Sequence, residues 1–200
     1  VIYGAARGGK STFITTMLYG LLKARDARSL HVYLLDFGSE TLRAFAKAPQ
    51  VGDVLFSYDG EKIQTLSKML GEELERRKSA LKALGCPNID AYNEIAEHPL
   101  QRLIFACDEV AEMLDKTGAD NERKKLLAQI ENKLSTIARQ GRAFGIHLIL
   151  ATQRPDAMII PGQIRNNMDF RVCGRADSVL SQIILDNTGA AEQIPKDARG

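Results

Sequence analysis

Near the start of the chain, eight residues read GAARGGKS, with glycine at positions 4 and 9 followed by Lys10 and Ser11. The spacing fits GxxxxGK[ST], and each residue type has a task in it. Glycines let backbone N–H groups turn inward around an anion, the lysine reaches the outer phosphates, and the hydroxyl holds Mg²⁺. A helix starting at this point adds the positive end of its dipole. The context agrees: VIY leads in as a strand, and STFITTMLYGLLK leads out with helical period. The reading is a nucleotide site formed by Gly4, Ala5, Ala6, Arg7, Gly8, Gly9, Lys10, Ser11 and Thr12, with ATP and Mg²⁺ as ligands.

Such a cradle needs an acid from a second strand. RLIFACDEV supplies one, an apolar run that ends in Asp108 and Glu109. Asp108 is read as the Mg²⁺ ligand, acting through water, and Glu109 as the group that polarises the attacking water. A further apolar run, GIHLILATQRP, delivers Thr152 and Gln153 to a strand end. Ligands of open parallel sheets gather at the carboxyl ends of the strands, so a polar residue there can sense the γ-phosphate. Asp36 closes HVYLLD and reads either as a group behind the site or as a solvated strand end.

The elements that must hold these side chains are legible from periodicity. Short apolar runs alternate with longer stretches of helical period, which is the pattern of βαβ units around a parallel sheet. Strands are expected at Val1–Tyr3, His31–Asp36, Val54–Tyr58, Arg102–Cys107, Ile146–Ala151 and Phe170–Cys173. Helices are expected at Ser11–Lys23, Gly60–Leu84, Asp120–Gly141 and Asp177–Leu185, with one short helix in the connection Gly85–Pro99. The 200 residues, 44% hydrophobic and 26% charged, suit one α/β domain with a sizeable core. A net charge of +2 permits a nucleic-acid partner without requiring one.

Three widely spaced cysteines, Cys86, Cys107 and Cys173, offer neither a disulfide framework nor a metal spacing, which favours a reducing compartment. Cys107 and Cys173 read as small buried hydrophobes, and Cys86 as exposed. None of His31, His98 and His147 has a partner at metal-ligand spacing. The apolar runs are too short to cross a bilayer. The sequence starts inside a strand and stops at KDARG, so it is read as a piece of a longer protein.

Together, GAARGGKST, LIFACDEVAEML, ARQGRAFGIHLILATQRPD and GQIRNNMDFRVCGRADSVLSQIILD resemble the motor domain of the FtsK/SpoIIIE family. The resemblance covers nearly the whole chain. It implies a RecA-like P-loop fold with a central, mostly parallel sheet, assembled as a hexameric ring that uses ATP to drive a polymer through its pore. It matches Gly4, Gly9, Lys10 and Ser11 to Walker A, Asp108 and Glu109 to the Walker B acid and catalytic glutamate, and Gln153 to the sensor glutamine. It also implies an arginine reaching a neighbour's γ-phosphate, for which Arg76 and Arg77 are the candidates and Arg165, Arg171 and Arg175 the rivals. The implied setting is a cytoplasmic domain of a membrane-anchored bacterial protein.

The family has a branch that moves double-stranded DNA in segregation, sporulation or conjugative transfer. Another branch, the type VII secretion ATPases, exports small helical proteins. The main expectation is DNA translocation. The middle of the chain, YLLDFGSETLRAFAKAPQVGDVLFSYDGEKI, looks closer to the secretion branch and keeps that alternative open. Basic candidates for a DNA contact are Arg154, Arg165, Arg123, Lys124 and Lys125, and the run Met158–Ile160 is equally consistent with packing onto a neighbouring subunit.

Overall fold

The computed structural model describes residues 1–4, 8–38, 40–154, 160–195 and 198. Ala5, Ala6 and Arg7 of the expected phosphate loop lie outside them, as do Met158 and Ile159. In chain order the elements are β1 (Ile2–Tyr3), α1 (Lys10–Ala24), β2 (Leu30–Asp36), β3 (Val51–Phe56), α2 (Gly60–Ala83), α3 (Ile89–Ile95) and β4 (Arg102–Asp108). They continue with α4 (Val110–Leu114), α5 (Asn121–Gln140), β5 (Ile146–Thr152), α6 (Gly162–Arg165), β6 (Val172–Cys173), α7 (Ser178–Leu185) and α8 (Gly189–Glu192).

The six strands form one sheet in the order β3-β2-β4-β5-β1-β6, and every pairing is parallel. Both faces are therefore covered, which is why the strands read as continuous apolar runs. Along β4 the alternation sorts side chains to two cores. Leu103, Phe105 and Cys107 join Leu66, Leu70, Leu74, Leu134 and Ile137 of α2 and α5 on one face. Ile104 and Ala106 join Ile14 and Leu18 of α1, together with Leu42, on the other. Each such aliphatic side chain contributes roughly 1.5–3 kcal/mol when fully buried. A small third cluster holds α7 and α8 against Tyr3.

The helix starts follow from local chemistry. Asn88, Asp120 and Asp177 cap α3, α5 and α7 by accepting from the backbone N–H of Ala91, Arg123 and Leu180. The start of α1 is different: Gly9 stands at φ 77°, no side chain caps the helix, and no acid sits in its first turn. Its leading N–H groups are left to an anion.

Two expected strands shift. β3 begins at Val51 rather than Val54, although Gly52 and Asp53 are poor strand formers. The stacked rings of His31 and Tyr33 explain it, since a Cβ on Gly52 would stand 2.7 Å from Tyr33 Cε1 and 2.9 Å from His31 Nε2. β6 shrinks to Val172–Cys173, with Phe170 exposed beside it. Ile160 is buried in this chain's own core beside Ile164, which corrects the expectation that it packs onto a neighbour. Cys86 is half-buried rather than exposed.

The return from α5 into β5 is the tightest joint. A Cβ at Gly141 would lie 2.4 Å from the carbonyl oxygen of Ile146, a backbone atom that cannot rotate away. Gly141→Ala is expected to destabilise the domain by roughly 1–3 kcal/mol, the usual range for overpacking. Urea unfolding checks this, and an unchanged midpoint would remove the tight joint from the account.

Candidate functional site

Strand register sets the site. Asp36 pairs with Asp108, Asp108 with Ala151, and Tyr3 with Thr152, so four strand ends finish at one level. At that edge the chain leaves β1 at Gly4, whose N–H donates to the Thr152 carbonyl at 3.3 Å. A Cβ on Gly4 would stand 2.9 Å from Lys10 Cβ, so glycine at this position lets the start of α1 come close to the end of β1.

The lysine and both acids meet there. Lys10, Asp108 and Glu109 are buried. Lys10 Nζ is ion-paired with Asp108 Oδ1 and lies 3.6 Å from Glu109 Oε2, while Ser11 Oγ stands 3.5 Å from Asp108 Oδ2. Two carboxylates thus share one ammonium where little water reaches, and among the described residues no second cation is paired with them. Surplus buried negative charge of this kind is stable only with a further positive partner. Hard oxygen donors on Ser11 and Asp108 fit Mg²⁺, and Lys10 is a mobile cation able to move onto phosphate. Burial, with the neighbouring charges of Asp108 and Glu109, pushes the Cys107 thiol well above its ordinary range, so it stays an inert part of the strand.

Glu109 occupies a conformation that favours glycine, with φ 72° and ψ 60°. A side chain held there costs about 1–3 kcal/mol and persists only where its surroundings fix it. Here Thr152 Oγ1 donates to Glu109 Oε1 at 2.6 Å and the Gln153 backbone N–H donates to Oε2 at 2.9 Å. The expected sensor residue therefore reaches Glu109 through its main chain, and its side chain is exposed at the same edge.

Asp36 is not a solvated strand end. It is 2% exposed and accepts from the N–H groups of Gly38, Glu40 and Leu42, which folds the following loop back toward β4. Phe37 N–H then donates to the Asp108 carbonyl at 3.1 Å, and Gly38 lies alongside Asp108 and Glu109. The sequence marked this loop only as a likeness to the secretion branch, and a second contact, in which a Cβ on Gly174 would lie 3.6 Å from Gly4 Cα, was not singled out. The glycine that follows strand β6 was the available signal for the second.

The arginine pair on α2 divides. The Arg77 side chain is 3% exposed, pairs with Glu73 at 2.7 Å, and donates to the carbonyls of Phe144 at 2.8 Å and Gly145 at 3.4 Å. Those carbonyls precede β5, at the sheet edge opposite the phosphate cradle. Arg77 is therefore committed to its own fold, which corrects its candidacy as a trans-acting arginine. Arg76 is exposed and clasps Glu73 with two hydrogen bonds. Burial alone would raise the Glu73 carboxyl, but hydrogen bonds from both arginines outweigh it and hold it below its ordinary value. Arg171 is tied to Asp186 at 2.6 Å, Arg175 to the Ile194 carbonyl, and Arg154 to Glu112 and Asp115. Arg165 is half-buried on α6. Arg123, Lys124 and Lys125 are exposed at the start of α5.

A phosphate loop on β1, an acid pair on β4 and a polar strand end on the intervening β5 together define a nucleotide-triphosphate architecture. The model of the FtsK/SpoIIIE family matches residues 1–157. The chain belongs to that family. It is similar to the DNA translocase SftA of Bacillus subtilis, strain 168, at 32% identity over 202 residues, covering 98% of this chain and 20% of that protein. It thus spans about a fifth of the curated relatives it matches. Among solved structures, the pCW3 conjugation coupling protein TcpA, in monomer form with ATPγS, superposes at TM-score 0.83 with 37% identity, over 95% of this chain and 52% of that one. The cytoplasmic domain of the Thermomonospora curvata type VII secretion ATPase EccC shares the fold at TM-score 0.76 and 22% identity, covering 97% of this chain and 22% of that one. The RecA-like P-loop fold expected for the FtsK/SpoIIIE family is the one observed. Among the described residues, no helix is long and apolar enough to cross a membrane.

Arg77→Ala is expected to lower stability by about 1–3 kcal/mol, because it leaves the Phe144 carbonyl without its donor and takes the buried one of Glu73's two arginine partners. Arg76→Ala, which removes an exposed pair, is expected to cost about 0–1 kcal/mol. Thermal or urea unfolding of the two variants checks the contrast, and equal losses would refute the division of roles.

Proposed function

We propose that this domain hydrolyses ATP within a hexameric ring and couples that reaction to the movement of double-stranded DNA. The observation that carries the reading is the buried triad of Lys10, Asp108 and Glu109 at the carboxyl edge of the sheet, beside an uncapped helix start. Similarity to DNA translocases and to a conjugation coupling protein supports DNA as the polymer.

In the proposed reaction Lys10 leaves Asp108 and meets the outer phosphates, while the backbone from Gly4 to Thr12 lines the rest of the anion. Ser11 and Asp108 would hold Mg²⁺, which supplies charge neutralisation on the phosphate oxygens when bound. Glu109 accepts a hydrogen bond from the attacking water and draws off its proton as the water oxygen bonds to the γ-phosphorus. The bond to the β–γ bridging oxygen breaks, leaving ADP and phosphate. Gln153, exposed just past β5, is the residue assigned to respond to the γ-phosphate. Charge developing in the transition state calls for an arginine from the next subunit, and Arg76 is the member of its pair that a neighbour can reach. Lys124, Lys125 and Arg123 are exposed cations available to phosphates of a polymer. The parent protein is proposed to be bacterial and membrane-anchored, with this domain in the cytoplasm.

The second reading is a motor of the type VII secretion kind, moving small helical proteins. It is favoured by the loop after β2, where DFG packs against the catalytic acids, and by the fold shared with EccC.

Steady-state ATPase rates of the full chain, with and without double-stranded DNA over a salt series, test the reading. A several-fold, salt-sensitive stimulation is expected, because phosphate contacts release counterions. A rate indifferent to DNA in assembled rings would transfer the assignment to protein export. Lys10→Ala is expected to abolish nucleotide binding or turnover, and Glu109→Gln to keep ATP bound while stopping hydrolysis. Turnover by Glu109→Gln at the wild-type rate would remove Glu109 from the mechanism.

A further inference from the structure

Glu109 is held in its unusual backbone conformation by three consecutive residues at the end of β5. Thr152 grips one carboxylate oxygen through its hydroxyl and Gln153 grips the other through its amide. Arg154 reaches Glu112 on α4 and Asp115 just past it, so it anchors the helix that begins immediately after Glu109. Its backbone N–H also donates to Thr152 Oγ1 at 3.1 Å. That contact uses the accepting side of the hydroxyl and leaves its proton pointed at Glu109. Thr152 is 4% exposed, so water does not compete for the bond, and its branched Cβ limits χ1.

We propose that Thr152 is a positioning residue for hydrolysis, orienting the Glu109 carboxylate toward the attacking water. The inference rests on the ATPase reading above and adds a residue outside the phosphate loop and the acid pair. A base must be aimed as well as basic, and a third group usually does the aiming. Thr152 supplies a directional donor from β5, the strand inserted between the phosphate-loop strand and the acid strand. Glu109 is therefore coupled to Thr152, Gln153 and Arg154, and a shift at Arg154 reaches the carboxylate through the hydrogen bonds of Thr152 and Gln153.

Valine keeps the shape of threonine without its donor, and serine keeps the donor without the methyl group. In the full chain, under the DNA and salt conditions that give wild-type turnover, Thr152→Val is expected to lower kcat about tenfold or more, within the range a general base contributes. KM for ATP and Kd for ATPγS should stay within about twofold, since no phosphate contact is lost. Thr152→Ser should restore most of kcat. In nucleotide-free protein, Thr152→Val should lower the melting temperature, and lower it by less in a Glu109→Ala background, where the Thr152–Glu109 bond is already gone and only the acceptor for Arg154 N–H is lost.

A Thr152→Val protein that turns over at the wild-type rate, or faster, overturns the proposal. So does a raised KM with kcat preserved, which would assign the hydroxyl to nucleotide binding. Should the valine variant fail to fold, Thr152→Ser is compared with Thr152→Ala, and equal kcat for those two overturns it as well. A wild type that leaves ATP intact overturns the ATPase reading itself. A wild type that hydrolyses beside an equally fast valine variant overturns this inference alone.

Discussion

Three charges in a nearly dry pocket constrain everything around them. An ammonium between two carboxylates is tolerable only if each is held close to the others, since parting one leaves buried charge uncompensated at about 3–5 kcal/mol. Lys10 arrives from the first turn of α1, and the acids arrive from the end of β4. These elements are not neighbours in the chain, and β5 separates their strands in the sheet. The sheet order is therefore what allows the cluster to exist. β5 must pair with β1 on one side and β4 on the other, and it delivers polar groups between them.

The two covering layers serve that edge differently. α2 and α5 pack as a pair over one face and carry most of the large apolar contacts. On the opposite face α1 lies with the short helical turn Thr41–Phe45, which Asp36 fastens at its start. A strand-end acid has here become the clip of a loop that runs past Asp108 and Glu109. Arg77 plays a matching part at the far edge, stitching α2 to the turn before β5. Both edges of the sheet are thus fastened by a side chain that bonds to main-chain groups of a neighbouring segment.

Much of this was readable from residue order. GAARGGKS and the acids closing RLIFACDEV carry their chemistry in type and spacing, and the long helices show in their periodicity. Three things were hidden for physical reasons. β3 starts at Val51 because a stacked ring pair on the adjacent strand accepts only glycine, a contact that strand propensity does not encode. Arg76 and Arg77 are adjacent and chemically identical, and only their 100° separation around α2 sends one inward and the other to solvent. Thr152 was read only as a polar residue delivered to the strand end with Gln153, and its bond to Glu109 depends on a partner 43 positions away.

The left-handed backbone at Glu109 carries a conflict between folding and turnover. Glycine or asparagine would rest there more comfortably than glutamate does. Either substitution would therefore relieve the backbone while removing the carboxylate that Thr152 and Gln153 hold, so the strained residue and the polar end of β5 stand or fall as one unit.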